Sequence, residues 1–277
     1  MKKIAIRGIG GSFHDQVASH VFGEEYPRIY CSNFADTIRN VETGECDFGV
    51  LAIENSLAGT ILENYKLLRD SYVEIVGEKY LHIDHHLLAL PGQRIADIET
   101  VISHEMALKQ CRKFLDNSTI KNRHSFGDTA TASKHIGFNQ IKGTAAIGSI
   151  TAARNYGLAV ISSNIQDNPK NYTRFLIIQK PQIAGPPLEK NKATIIFSVL
   201  NEPGRLAKVL NFLNGKSINL TKIESVPHIS NPGRFDMITD LELPSNAHFK
   251  SILPEIYQLV EEIKVLGVYE KEIEPWN

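Results

Sequence analysis

The chain has 277 residues, a formal net charge of -1 at pH 7, 42% hydrophobic residues and 22% charged residues. This balance supports one large or two ordinary packed domains and excludes a disordered chain. It also excludes the basic excess of a nucleic-acid binder, and no segment approaches the roughly 20 apolar residues of a membrane span.

The amino-terminal MKKIAIRGIGG has its apolar run cut by Arg7, too early for a signal-peptide core. Cys31, Cys46 and Cys111 form no CxxC pair, so neither a zinc site nor a redox motif is expected. So sparse a cysteine count suits a reduced, cytoplasmic protein.

In chain order, KKIAIRG reads as a first strand, followed by a Gly/Ser loop and a helix from about His14 to Val21. A buried strand is expected over DFGVLAI (47–53), and residues 71–90 are strand-rich. TVISH (100–104) is a strand leading into the helix EMALKQCRKFL, and GTAAIGS (143–149) a strand leading into TAARNY. Strands in GLAVISSNI and TRFLIIQK complete an alternation that predicts α/β with a mainly parallel sheet.

KPQIAGPPLEKNK (180–192) carries three prolines and a glycine and reads as a linker. Beyond it the pattern predicts strand 193–200, helix 203–214, strands 218–227 and 234–243, helix 246–262 and strand 264–270. That order is βαββαβ, the ferredoxin-like pattern, and Pro203 suits the first turn of its helix.

Several stretches could carry chemistry. The loop RGIGGSF (7–13) follows a strand and opens a helix, but Phe13 stands where a dinucleotide fingerprint needs its third glycine. The backbone N–H groups of Gly10, Gly11 and Ser12 could instead hold a carboxylate, with a plain turn as the alternative. Ser103 and Ser149 also stand at strand-to-helix junctions, where ligands of open α/β sheets collect and where serine also caps helices.

Glu54, Asn55 and Ser56 place a carboxylate, an amide and a hydroxyl at one strand tip, unless they are only turn residues. His82, Asp84 and His86 share one strand face and His85 the other, but nothing completes a ligand shell, so no metal is expected. His14, Asp15 and Gln16 lie in a first helical turn, and no chemistry is assigned to them. In NYTRFLII (171–178), alternation puts Thr173 and Phe175 on one face and Arg174 on the other. Phe175 is therefore expected to line a cleft, and Arg174 to pair with a protein carboxylate.

Together, GGSFHDQVA (10–18), FGVLAIENSLAGTI (48–61), IVGEKYLHIDHHLL (75–88), SHEMALKQCRKFL (103–115), AAIGSITAARNYGLAVISSNIQD (145–167) and NYTRF (171–175) resemble prephenate dehydratase. PGRLAKVLNFLNGKSINLTKIESVP (203–227) resembles the ACT regulatory domain that follows the catalytic domain in that family. The resemblance implies a two-lobed, type II periplasmic-binding-protein-like catalytic domain over 1–182, with its active site in the central cleft. A linker over 183–192 and a ferredoxin-like βαββαβ ACT domain over 193–277 would follow.

The implied reaction is decarboxylative dehydration of prephenate to phenylpyruvate, CO2 and water in L-phenylalanine biosynthesis. The resemblance implies no metal and no organic cofactor, feedback by L-phenylalanine, assembly as a homodimer or homotetramer, and a monofunctional enzyme. Thr173 matches the key catalytic threonine, with Glu54, Asn55, Ser103 and Gln110 at the site. Gly10, Gly11, Ser12, Ser56, Ser149 and Phe175 are the candidates for holding substrate. Pro203, Gly204, Arg205, Leu206, Asn219, Leu220, Glu224 and Ser225 are those for regulatory phenylalanine.

The chain departs from the family at Glu105-Met106, where Pro-Gln is common, and at Arg205 and Val226, which replace the Ala of Gly-Ala-Leu and the Arg of Glu-Ser-Arg-Pro. The last two leave the strength of phenylalanine control open. Two alternatives stand beside the main reading: arogenate dehydratase, the same chemistry on the aminated substrate, and a non-catalytic amino-acid sensor.

Overall fold

The structure, a computed structural model, describes residues 2–182, 190–228, 231 and 233–275. Most of the expected linker, residues 183–189, lies outside them.

The chain begins with β1 (Ile4–Arg7), α1 (Phe13–Phe22), β2 (Arg28–Cys31), α2 (Phe34–Glu42), β3 (Phe48–Asn55), β4 (Gly59–Thr60), α3 (Leu62–Asp70) and β5 (Glu74–His82). It crosses to a second lobe made of β6 (His86–Ala89), β7 (Thr100–Ser103), α4 (Glu105–Gln110), α5 (Arg112–Asp116), β8 (Asn122–Ser125), α6 (Thr129–Asn139), β9 (Thr144–Gly148), α7 (Ile150–Asn155) and β10 (Ala159–Ser162). It then returns as β11 (Tyr172–Gln179).

The first sheet has the order β2-β1-β3-β11-β5 and the second β8-β7-β9-β6-β10. Both follow one plan: three parallel strands, then the strand that enters by the crossing, antiparallel to its neighbours, then the last strand. This is the two-lobed type II arrangement. The expected mainly parallel sheet is corrected to two mixed sheets, because in each lobe the strand that enters by a crossing, β6 going out and β11 coming back, runs antiparallel to its neighbours. The helix expected from Glu105 to Leu115 is also broken at Cys111, whose backbone leaves helical geometry (φ -111, ψ 22).

The C-terminal unit runs β12 (Lys192–Leu200), α8 (Arg205–Gly215), β13 (Asn219–Pro227), β14 (Arg234–Glu242), α9 (Asn246–Tyr257) and β15 (Glu262–Tyr269). Its four strands form an antiparallel sheet ordered β13-β14-β12-β15, which is the ferredoxin-like topology. Pro203 lies outside α8, because the helix begins after Gly204, whose φ of 84° is left-handed.

One face of this sheet packs on its own helices, as Phe197, Val209, Leu213 and Phe249 show. The other shares a core with the first lobe: Ile196, Ile238, Leu266 and Tyr269 meet Leu51, Ile53, Tyr65 and Leu176. The approach is so close at Gly267 that a β-carbon there would stand 2.2 Å from the Ile75 carbonyl oxygen. Among the described residues no helix is long and apolar enough to cross a membrane.

Candidate active site

A cleft of about 330 Å3 lies between the lobes, beyond the carboxyl ends of β1, β3 and β7. This is where the geometry of open α/β sheets gathers ligands. Thr173, Asn55, Gln110, Ser12 and Phe175 all line it.

Thr173 and Asn55 are paired across β11 and β3 and share a face. The Asn55 side-chain amide donates to Thr173 Oγ1 at 3.0 Å, to Asn171 Oδ1 at 2.8 Å and to the Tyr172 carbonyl at 3.1 Å. Its own oxygen accepts from the N–H groups of Leu57 and Ala58, which fixes the amide's orientation. The Thr173 hydroxyl therefore receives a hydrogen bond and keeps its proton to donate. The polar chain continues: Asn171 Nδ2 donates to Gln110 Oε1 at 3.1 Å, and His85 Nε2 donates to the same oxygen at 2.9 Å.

Two histidines add neutral imidazoles. Burial pushes the His85 ring below its ordinary pKa, and its Nδ1 has no hydrogen-bond partner among the described residues. His14 is lowered to about 3, by burial first and the nearby Arg7 charge second. Its Nε2 accepts the Ala52 N–H at 3.3 Å, so the ring proton sits on Nδ1.

His14 also makes stability pH-dependent. Below pH 6.5 the unfolded chain takes up a proton at this ring that the folded chain refuses until about pH 3. Stability therefore falls as pH falls through that window, by up to about 1.4 kcal/mol per pH unit from this group. Urea midpoints at pH 7 and pH 4.5 check it: His14→Gln should lose less stability on acidification than the wild type.

Other expected site residues lie elsewhere. Glu54 is on the opposite face of β3 from Asn55. A bulge sets Arg174 against Glu54 and Phe175 against Ala52, so Ile53 is extra and simple alternation fails there. Ser56 is exposed, donating to the Lys170 carbonyl and accepting the Tyr172 N–H, which ties down the returning chain. Ser103 is fully buried, its hydroxyl donating to the Ile147 carbonyl at 2.7 Å inside the second sheet. The helix cap beside it is His104.

Ser149 caps α7 and donates to the Gly11 carbonyl at 2.8 Å, a contact between lobes. Tyr156 likewise donates to the Gly10 carbonyl. The Gly11 N–H is held by Asp15 and the Ser12 N–H by the Ile9 carbonyl, so neither is offered to a ligand. Gly11 is there for a close approach: its φ is 83°, and a β-carbon would meet Ala152 Cα at 2.8 Å. Arg174 turns away from the cleft and pairs with Glu78 and Asp240.

Asn171, His85, His14, Arg7 and Asp128 went unassigned in the sequence. Asn171 stands in the same NYTRF stretch as Thr173, which was its one available signal. Arg7 lines the cleft with its guanidinium 4.8 Å from the Phe34 ring centroid, and Asp128 faces it from the cap of α6.

The regulatory candidates divide between two ends of β13. Asn219 pairs with Glu242 and Pro227 with Phe235. Asn219 is thus about 26 Å along the strand from the end near the 203–206 loop. Within one chain Pro203, Gly204, Arg205 and Leu206 are not gathered with Asn219 and Leu220; Glu224 and Ser225 lie between. Among the described residues no group of His, Cys, Asp and Glu could hold a metal ion.

Residues 4–183 match the family model for prephenate dehydratase. Arogenate dehydratase 5 of Arabidopsis thaliana is 35% identical over 298 residues, covering 99% of this chain and 69% of the relative. Among solved structures, prephenate dehydratase from Arthrobacter aurescens in complex with L-Phe is 25% identical with TM-score 0.85, covering 96% of this chain and 89% of that one. GqqA, described as a novel type of quorum quenching acylase, is 30% identical with TM-score 0.87, covering 99% of both chains. The matched domain, the two-lobed fold and the whole-length likenesses agree: the chain belongs to the prephenate dehydratase family.

Proposed function

We propose that this dehydratase acts on prephenate, releasing CO2 and water to give phenylpyruvate, with Thr173 as the donor to the departing hydroxyl. The observation that carries the reading is the Thr173 hydroxyl, which accepts from Asn55 and is free to donate into the cleft.

The bond to the ring carboxylate breaks and its electron pair enters the ring as CO2 leaves. The ring becomes aromatic as the C–O bond breaks, and the oxygen takes that bond's electrons and a proton to leave as water. Aromatisation supplies the drive, so the protein has to orient the substrate and stabilise charge growing on one oxygen. A fixed donor in a water-poor site does this. A threonine hydroxyl is too weak an acid to give its proton up outright, so it relays one from water. His14 and His85 are neutral rings, so they add no charge of their own to the cleft. Arg7 and the Ser12 hydroxyl are the candidates for the substrate carboxylates.

Arogenate is the second reading, and Asp128 favours it. That carboxylate lines the cleft and would face the ammonium that replaces the keto group. The C-terminal unit is read as an ACT domain responding to L-phenylalanine, the ligand of the Arthrobacter relative.

The test is purified protein with each substrate, following phenylpyruvate or phenylalanine, with and without added phenylalanine. Turnover of prephenate supports the main reading and turnover of arogenate alone supports the second. Turnover of neither rejects both and favours a sensor.

A further inference from the structure

Behind the strand ends that carry Asn55 and Thr173 lies a closed set of charges. Arg174 and Glu54, the residues next to that pair, are themselves partners across the two strands and face the C-terminal sheet. Arg174 donates to Glu78 at 2.7 Å, to Asp240 at 2.5 Å and to the Tyr269 hydroxyl at 3.0 Å, and its Nη1 stands 3.9 Å from Glu54. Thr194 donates to the second Asp240 oxygen at 2.6 Å.

Lys222, on β13, reaches Glu54 at 3.5 Å and donates to Thr60 Oγ1 at 2.5 Å. Glu54 and Thr60 face each other across the β3–β4 hairpin whose turn begins at Asn55. One ammonium from the C-terminal unit therefore spans both arms of the hairpin that carries Asn55. A polar cavity of about 70 Å3 lies among these groups.

We propose that Lys222 and Asp240 are positioning residues for the reaction. Through Glu54 and Arg174 they fix the Asn55–Thr173 hydrogen bond, so the C-terminal unit is a working part of the reaction site. This rests on the reading of Thr173 as the reacting donor. The geometry explains why two strand neighbours of the site spend charged side chains on a different unit. A peptide plane is rigid, so the anchored Arg174 limits where Thr173 can sit. Reaction rates fall steeply with misplacement on the scale of an ångström.

The test uses the full chain carrying Lys222→Met, Lys222→Arg or Asp240→Asn, assayed for kcat and KM. Lys222→Met should lower kcat by about 10- to 100-fold with KM little changed, and Lys222→Arg should recover most of it. Asp240→Asn should act the same way; the Lys222 side chain is only 10% exposed, so a urea unfolding midpoint for each variant separates loss of fold from loss of positioning. Lys222→Met with wild-type kcat, while Thr173→Val is inactive, overturns the positioning role and leaves the functional reading standing. Absence of wild-type turnover rejects the functional reading instead. A second readout needs no activity: the NMR signal of the Asn55 side-chain NH2 should move in Lys222→Met and return in Lys222→Arg. An unmoved signal overturns the proposal whatever the chain catalyses.

Discussion

Thr173→Val should turn substrate over about 100- to 1000-fold more slowly than the wild type, with KM nearly unchanged. Valine keeps the volume of threonine and removes only the hydroxyl. Asn55 keeps its other acceptors, Asn171 Oδ1 and the Tyr172 carbonyl, so its amide is not stranded by the change. The loss then reports on the donor. Arg7 and Ser12, the proposed holders of the substrate carboxylates, line the same cleft and are untouched by the change, so affinity should be kept. Steady-state kinetics decide: a variant with wild-type kcat would remove Thr173 from the reaction.

The second large effect is on stability. Arg174→Met should cost about 3–5 kcal/mol, read as a shift in the urea unfolding midpoint. Arg174, Glu78, Lys192 and Asp240 are all buried, with side-chain exposures of 4%, 0%, 1% and 1%. Two cations meet two anions, so the cluster is neutral as built. Burial alone would push the Asp240 carboxyl up, but Arg174, Lys192 and the Thr194 hydroxyl hold it below its ordinary range. Burial likewise works against the Arg174 charge, and Asp240 and Glu78 outweigh it. Removing Arg174 leaves Lys192 facing two carboxylates. An Arg174→Met variant as stable as the wild type would mean that water or rearrangement compensates the cluster.

The strand faces of β11 were legible in the sequence because period-two alternation holds there: Thr173 and Phe175 reach the cleft and Arg174 turns to carboxylates. Glu54 was expected at the cleft from its place at the strand tip and from the family resemblance; the bulge at Ile53, which turns it to the other face, depends on pairing with a strand more than a hundred positions away. Ser103 and Ser149 stand where expected along the chain, yet their hydroxyls are consumed inside the protein, and no local pattern reveals where a carbonyl will come to rest. Helix α6 was missed because it packs through Ala130, Ala132, Ser133 and Gly137 and has no strong apolar stripe. Its Gly137 sits against the Tyr156 carbonyl, where a β-carbon would be 2.2 Å away. The C-terminal βαββαβ order was readable throughout, apart from the end of α9, which stops at Tyr257, shortly after Pro254.

The borrowed-strand plan of the first lobe also sets the order in which the protein can be made. The hydrogen bond from Asn55 to Thr173 joins positions 118 apart, and the whole second lobe lies between them. At about 5–20 residues per second, the ribosome emits the second partner on the order of ten seconds after the first. Until then β3 has an open edge where β11 will lie, and β5 has no neighbour to join it to the sheet. The second lobe holds all five of its strands before β11 emerges, so it can fold while the first lobe waits. The nascent first lobe is thus the aggregation-exposed part of this chain, and the site closes only when its late strand slots home.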